Sequence, residues 1–318
     1  MPIIITAIFL FLFYSQSYAT NSLNEPIQPI PEPKTNNTKL IKLGNRLFHE
    51  PRLSGNNTIS CASCHSLSSG GVDNQAFSTG INGQKGPINS PTVFNSSLNI
   101  KQFWDGRALN LAEQADGPVN NKKEMGSNWP QVIKKLKQDP SYLSDFNTSF
   151  TDGITAHNIK AAIVAFENNL LTPNSRFDQY LTGNNNAITK EELQGYTLFK
   201  EYGCISCHQG RAVGGNMFQK LGIMQDYFSE KETIHQADLG RFNITGQQAD
   251  RFVFKVPSLR NIELTAPYLH DGSKETLNDV VETMIIYQLG ISPLEKDTQL
   301  IVKFLKTLTG EYQGKPLK

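Results

Sequence analysis

The chain has 318 residues, room for two ordinary domains. Its formal net charge is +1, with 30 Lys and Arg against 29 Asp and Glu, which argues against nucleic acid or another polyanion as the main partner.

Residues 1–19 carry an apolar run from Ile3 to Tyr14, then small residues ending at Ala19, and are expected to be a signal peptide. The run is short for a membrane span. No Lys or Arg precedes it, so an uncleaved anchor is the alternative. Residues 20–37, rich in Pro, Asn and other polar residues, are expected to be a flexible linker without a packed fold.

All four cysteines fall in two copies of Cys-x-x-Cys-His: Cys61-Ala-Ser-Cys64-His65 and Cys204-Ile-Ser-Cys207-His208. This spacing attaches a c-type haem through two thiols, so two haems account for all four. Zinc is the alternative, but the adjacent histidine cannot easily join its own Cys-x-x-Cys around one tetrahedral ion. Porphyrin filling part of each core would also account for a hydrophobic content of only 38%.

Before each motif lies a Gly-x-x-Leu-Phe stretch, Gly44 to Phe48 and Gly195 to Phe199, which reads as an internal duplication. Residues 154–170 are expected to form an amphipathic helix, with Ile159, Ala162, Ile163 and Phe166 on one face and Pro173 beyond its end. A turn-rich break follows at 182–187, and Thr189 with Glu192 forms a capping box that starts the next helix. The expected fold is mainly α: two cytochrome c-like helical domains, 38–182 and 187–318, each with one covalently bound haem.

His65 and His208 each supply one axial ligand. Residues 277–290 read as a helix bringing Met284 over the second haem, although a core methionine has the same signature. The 30 residues after His65 hold neither His nor Met, so the far face of the first iron is either open or served from a distance.

From about Leu40 to Gly310 the chain resembles the bacterial di-haem cytochrome c peroxidases. The resemblance is carried by Gly70-Gly-Val-Asp-Asn74, Gly86-Pro-Ile-Asn-Ser-Pro-Thr-Val93, Phe103-Trp-Asp-Gly-Arg107 and Thr172-Pro-Asn-Ser-Arg-Phe177. In the second half it rests on Val256-Pro-Ser-Leu-Arg-Asn261, Leu264-Thr-Ala-Pro-Tyr-Leu-His270 and Met284 with Gln288-Leu-Gly. The related enzymes that mature tryptophan tryptophylquinone share the architecture but have tyrosine where this sequence has Met284.

The resemblance implies the following roles. His208 and Met284 ligate a high-potential second haem that relays electrons. The first haem, on His65, is the peroxidatic centre of domain 38–182. Many relatives cover its far face with a histidine; here that position is Ile81, which cannot ligate iron. The first haem is therefore expected to be open when oxidised and to need no reductive activation. Met125 and His270 are the side chains that could fill the vacancy instead. Glu124 corresponds to the acid–base glutamate, Gln114 to a residue orienting peroxide, and Trp104 to a bridge between the haems. Read without the resemblance, Glu124 is an acid beside two lysines and Trp104 a core filler. Arg107 and Arg241 are candidate propionate partners, and His270 lies near the domain interface. Asn89, Thr265 and Pro267 match calcium-ligand positions. The implied protein is a periplasmic homodimer reducing hydrogen peroxide with electrons from a small c-type cytochrome or a cupredoxin. The alternatives are an oxidase or maturation enzyme acting on a protein substrate, and a non-catalytic electron carrier.

Overall fold

The computed structural model describes residues 25–33 and 37–318. The expected signal peptide at 1–19 lies outside the described residues. The fold is mainly α. The first half runs through α1 (Thr38–Phe48), α2 (Cys61–Cys64), α3 (Leu111–Gln114), α4 (Asp116–Asn120), α5 (Trp129–Leu136), α6 (Pro140–Ser149) and α7 (Ala156–Glu167). The second half runs through α8 (Arg176–Leu181), α9 (Lys190–Glu201), α10 (Phe242–Thr245), α11 (Leu277–Leu289) and α12 (Glu295–Lys306). In it, β1 (Phe218–Lys220) pairs antiparallel with β2 (Val253–Lys255), placing Phe218 opposite Lys255.

Local chemistry sets the helix ends. Thr155 caps α7 by accepting from Asn158 N, so this helix starts two residues later than its apolar pattern. Thr189 and Glu192 form the reciprocal capping box of α9. Thr276 and Asp279 do the same for α11, which ends at Gly290 with φ +70°.

Two helix crossings organise the two halves. A Cβ on Gly44 in α1 would stand 1.9 Å from Ala162 O in α7, and one on Gly195 in α9 would stand 1.9 Å from Leu300 O in α12. Only glycine lets these backbones approach so closely. The repeated Gly-x-x-Leu-Phe thus marks the same crossing twice. Around the first crossing, Leu43, Leu47, Phe146, Ile159 and Ile163 are buried together; around the second, Tyr196, Phe199, Ile301 and Phe304.

Two sequence expectations need correction. Within the expected linker, residues 25–33 are packed: Ile27 is 0% and Ile30 4% exposed. Gly210 N donates to Pro26 O at 2.8 Å, and Arg260 Nη2 donates to Gln28 O at 2.8 Å. The polar and proline-rich composition hid two buried apolar residues, of which Ile27 joins the second core. The expected border at 182–187 also fails as a change of core. Phe177 and Leu181 of α8 already pack with Tyr196 and Phe304, while residues 182–186 are an exposed loop. Packing passes from the first core to the second around 171–175, beside Thr172 and Asn95, which bond through their side chains at 2.8 Å. The C-terminal tail crosses back, with Tyr312 edge-on to Phe94 at 5.1 Å.

Candidate active site

The turn carrying Cys61, Cys64 and His65 lines a cleft in the first half. His65 is half-buried, and its Nδ1 lies 3.3 Å from Gly71 O. In the second half, His208 Nδ1 lies 3.3 Å from Val213 O. A backbone acceptor on Nδ1 places that ring proton and leaves Nε2 to bind a metal. Burial pushes the His208 pKa down to about 4, so the imidazole is neutral, as a ligand must be. None of the four cysteines is in a disulfide. Burial pushes the Cys61 thiol up to about 12 and Cys64 up to about 11. Paired thiols, a pre-oriented imidazole and an adjoining cleft fit a haem in the first half. The same turn at 204–208 fits one in the second.

The first-half residues singled out by sequence converge on this cleft. Gln114, Glu124, Trp104 and Arg107 all line it with His65. Glu124 comes from the loop after α4, and Asn121 Nδ2 donates to its Oε1 at 2.6 Å. Burial raises the Glu124 pKa above the usual carboxylate range; the Asn121 hydrogen bond and the Arg107 charge oppose this. Arg107 is itself tied to Asp105 at 2.8 Å and lies 3.5 Å over the Phe103 ring.

Ile81 does not line the cleft. Its amide donates to Glu124 O at 2.8 Å, and its side chain packs on the Cα of Gly126. The 78–87 loop is thereby docked on the loop that carries Glu124. Of the two side chains considered as replacement ligands, Met125 lines the cleft and His270 does not. His270 is 1% exposed, and its Nε2 is 2.7 Å from Asp238 Oδ1. Lys231 Nζ joins Asp238 at 2.6 Å and Asp271 at 2.8 Å, so this acidic cluster is balanced internally by an ammonium group.

Trp104 sits where the two halves meet. Its indole N–H donates to Asn89 O at 2.9 Å, and its carbonyl accepts from Lys255 N at 2.7 Å. Its ring is edge-on to Phe254 and to His270. Met284, on α11, packs against the same cluster of Leu221, Phe228 and Phe254 as Trp104. Arg241 lies 4.5 Å over the Phe218 ring, and its Nη1 would be 3.5 Å from a Cβ on Gly106. Arg107 and Arg241 thus flank the same inter-half seam. Asn89 belongs to that seam as well: its amide donates to His270 O at 2.7 Å, in the loop that follows Thr265 and Pro267.

Among the buried charges that the sequence does not mark are Lys255 and Glu167. Lys255 is 6% exposed, and burial alone lowers its pKa to about 8. Glu167 is 6% exposed at the end of α7 and lines the cleft. Charge on a helix or strand normally signals solvent, and nothing local in the sequence marks these two as interior.

A model of the di-haem cytochrome c peroxidase family matches residues 38–186. The cytochrome c551 peroxidase of Nitrosomonas europaea is 50% identical over 91% of this chain and 85% of its own length. This chain belongs to the di-haem cytochrome c peroxidase family. The cytochrome c peroxidase Ccp of Escherichia coli is 45% identical over 94% of this family member, which spans 64% of that relative's length. Among solved structures, a MauG-like protein associated with microbial copper homeostasis superposes with a TM-score of 0.76 at 29% identity, covering 89% of this chain and 94% of the other. Haem c is the family's cofactor. Among the described residues of this peroxidase-family chain, no helix is long and apolar enough to cross a membrane.

Proposed function

We propose that this chain reduces hydrogen peroxide to water with electrons from a small c-type cytochrome or a cupredoxin, in the periplasm and as a homodimer. The observation that carries the reading is the convergence of Glu124, Gln114 and His65 on one cleft, in a chain 50% identical to a cytochrome c551 peroxidase.

Cys61 and Cys64 would hold one haem through thioethers with His65 toward its iron, and Cys204 and Cys207 would hold the other with His208 and Met284. When bound, these groups supply a site for peroxide and the storage of one electron each. The chain's residues do the rest. Glu124 takes a proton from bound peroxide and returns one to the leaving oxygen. Asn121 holds its Oε1, which fixes the carboxylate for that transfer. Gln114 orients the peroxide. Trp104, tied to both halves by its N–H and its carbonyl, lies on the electron path between them. Arg107, Arg241 and the buried Lys255 would pair with haem propionates at the seam. Asn89, Thr265 and Pro267 would offer oxygen donors, the kind calcium takes, if that ion is bound there. His270 belongs to the seam through Asp238 and Phe254 and ligates no iron. Ile81 offers no atom that could ligate iron, so the 78–87 loop would leave a bound first haem open to peroxide without prior reduction.

Reaction of one peroxide consumes two electrons and two protons and yields two waters. The test is steady-state turnover of the holoprotein with hydrogen peroxide and a reduced small cytochrome c. Turnover is expected. Its absence with both haems in place would overturn the reading in favour of an electron carrier or a protein-directed oxidase.

A further inference from the structure

The two halves provide an internal comparison. Gly44 meets Ala162 O and Phe166 Cβ; Gly195 meets Leu300 O and Phe304 Cβ. Aligning the crossings residue on residue places Phe166 with Phe304 and therefore Glu167 with Leu305. Leu305 is an ordinary core residue, 4% exposed. Glu167 is as deeply buried, and its Oε2 has no hydrogen-bond partner. An apolar residue satisfies the fold at this position, and an unpartnered buried carboxyl costs stability. The half that carries it is the half with the Glu124 cleft, and Glu167 lines that cleft beside Cys61.

We propose that Glu167 is a redox-linked proton site: it takes up one proton from solvent as one electron reaches the first haem, and releases it when the electron leaves. The inference rests on the peroxidase reading above. In the step, the second haem is oxidised, the first is reduced, and the only bond formed is the O–H of the Glu167 carboxyl. An added electron raises the energy of a nearby carboxylate in a low-dielectric interior, so protonation follows reduction. Burial alone holds Glu167 up at about 8, close to the range where such coupling is felt. The other titratable or charged groups of the cleft are Cys61, Cys64, His65, Arg107 and Glu124. The helices packed on α7 add Lys39, Lys42 and Arg46 from α1, Glu113 from α3, and Lys134 and Lys135 from α5; all are at least partly exposed. So are His157 and Lys160 of α7 itself. None of these contributes to the upward displacement of Glu167. Glu124 then handles the protons on peroxide, while Glu167 balances the charge of the arriving electron.

The test is a potentiometric titration of both haems in the holoprotein from about pH 6 to about pH 9. The first haem's midpoint is expected to fall as pH rises, toward one proton per electron, and Glu167→Gln is expected to remove at least half of that dependence. A carboxylic C=O band should appear on reduction in the infrared difference spectrum and be missing in the variant. A first-haem midpoint independent of pH in the unmodified protein overturns the proposal. So does a slope that Glu167→Gln lowers by less than half, or a band that survives it. If that variant does not load haem, Glu167→Leu, which copies the second half, replaces it. Peroxide turnover measured on the same samples separates the two readings: turnover with a flat midpoint removes only the role of Glu167, whereas no turnover removes the peroxidase reading itself.

Discussion

Glu124 accepts a proton only as a carboxylate, and burial raises the pKa at which it becomes one. Turnover should therefore fall as pH drops through that raised value, at a higher pH than for an exposed glutamate. Glu124→Gln is expected to lower kcat by about 10²- to 10⁴-fold with both haem spectra unchanged; kcat within a few-fold of the parent would remove Glu124 from the chemistry. At Ile81 the question is coordination. The oxidised protein should give a high-spin ferric signal from the first haem in electron paramagnetic resonance. Ile81→His should convert it to low spin and make turnover depend on prior reduction. A high-spin signal that persists in the variant would mean that this loop, docked here on Gly126, does not bring residue 81 to the iron. The motif match made Glu124 legible in the sequence. Glu167 and Lys255 were not, because a buried charge and a solvated one look alike until their neighbours are known.

At the scale of elements, the repeated glycine carries most of the organisation. A Cβ at position 195 would meet Leu300 O and Phe304 Cβ, which are backbone and core rather than a flexible side-chain tip. Gly195→Val should force α9 off α12 and cost about 3 kcal/mol or more. Thermal unfolding followed by the absorption of the second haem would report it. A melting curve matching the parent would mean that the crossing can open without penalty. The Gly-x-x-Leu-Phe repeat signalled both crossings, and Thr189 with Glu192 marked a helix start that the structure keeps. The end of the first core was harder to see. Phe177 and Leu181 form an apolar pair too short to reveal which core they face, and the conspicuous turn residues after them are a surface loop.

Across the whole molecule, Arg260 draws together distant segments. It is 1% exposed; its guanidinium reaches Gln28 O at 2.8 Å, Arg211 O at 2.8 Å, Ser175 Oγ at 3.1 Å and Asp178 at 2.8 Å. It thus pins the 25–33 segment and α8 to the second haem motif. Arg260→Ala would leave a buried aspartate and several backbone carbonyls without their donor, and is expected to cost about 3–5 kcal/mol. Chemical denaturation should show this as a lower midpoint, with residues 25–33 becoming sensitive to protease. An unchanged midpoint would mean that Ile27 and Ile30 hold the segment unaided.

The sequence by itself determined the two haem motifs and the helical duplication, because each is written in residue types at fixed local spacing. Tertiary structure decided the rest. It seated Ile27 in the second core, moved the change of core to 171–175, gathered Glu124, Gln114 and Trp104 around one cleft, and left Glu167 without a partner inside it. Burial and pairing depend on groups separated by tens to hundreds of residues, and no local pattern records which of them will meet.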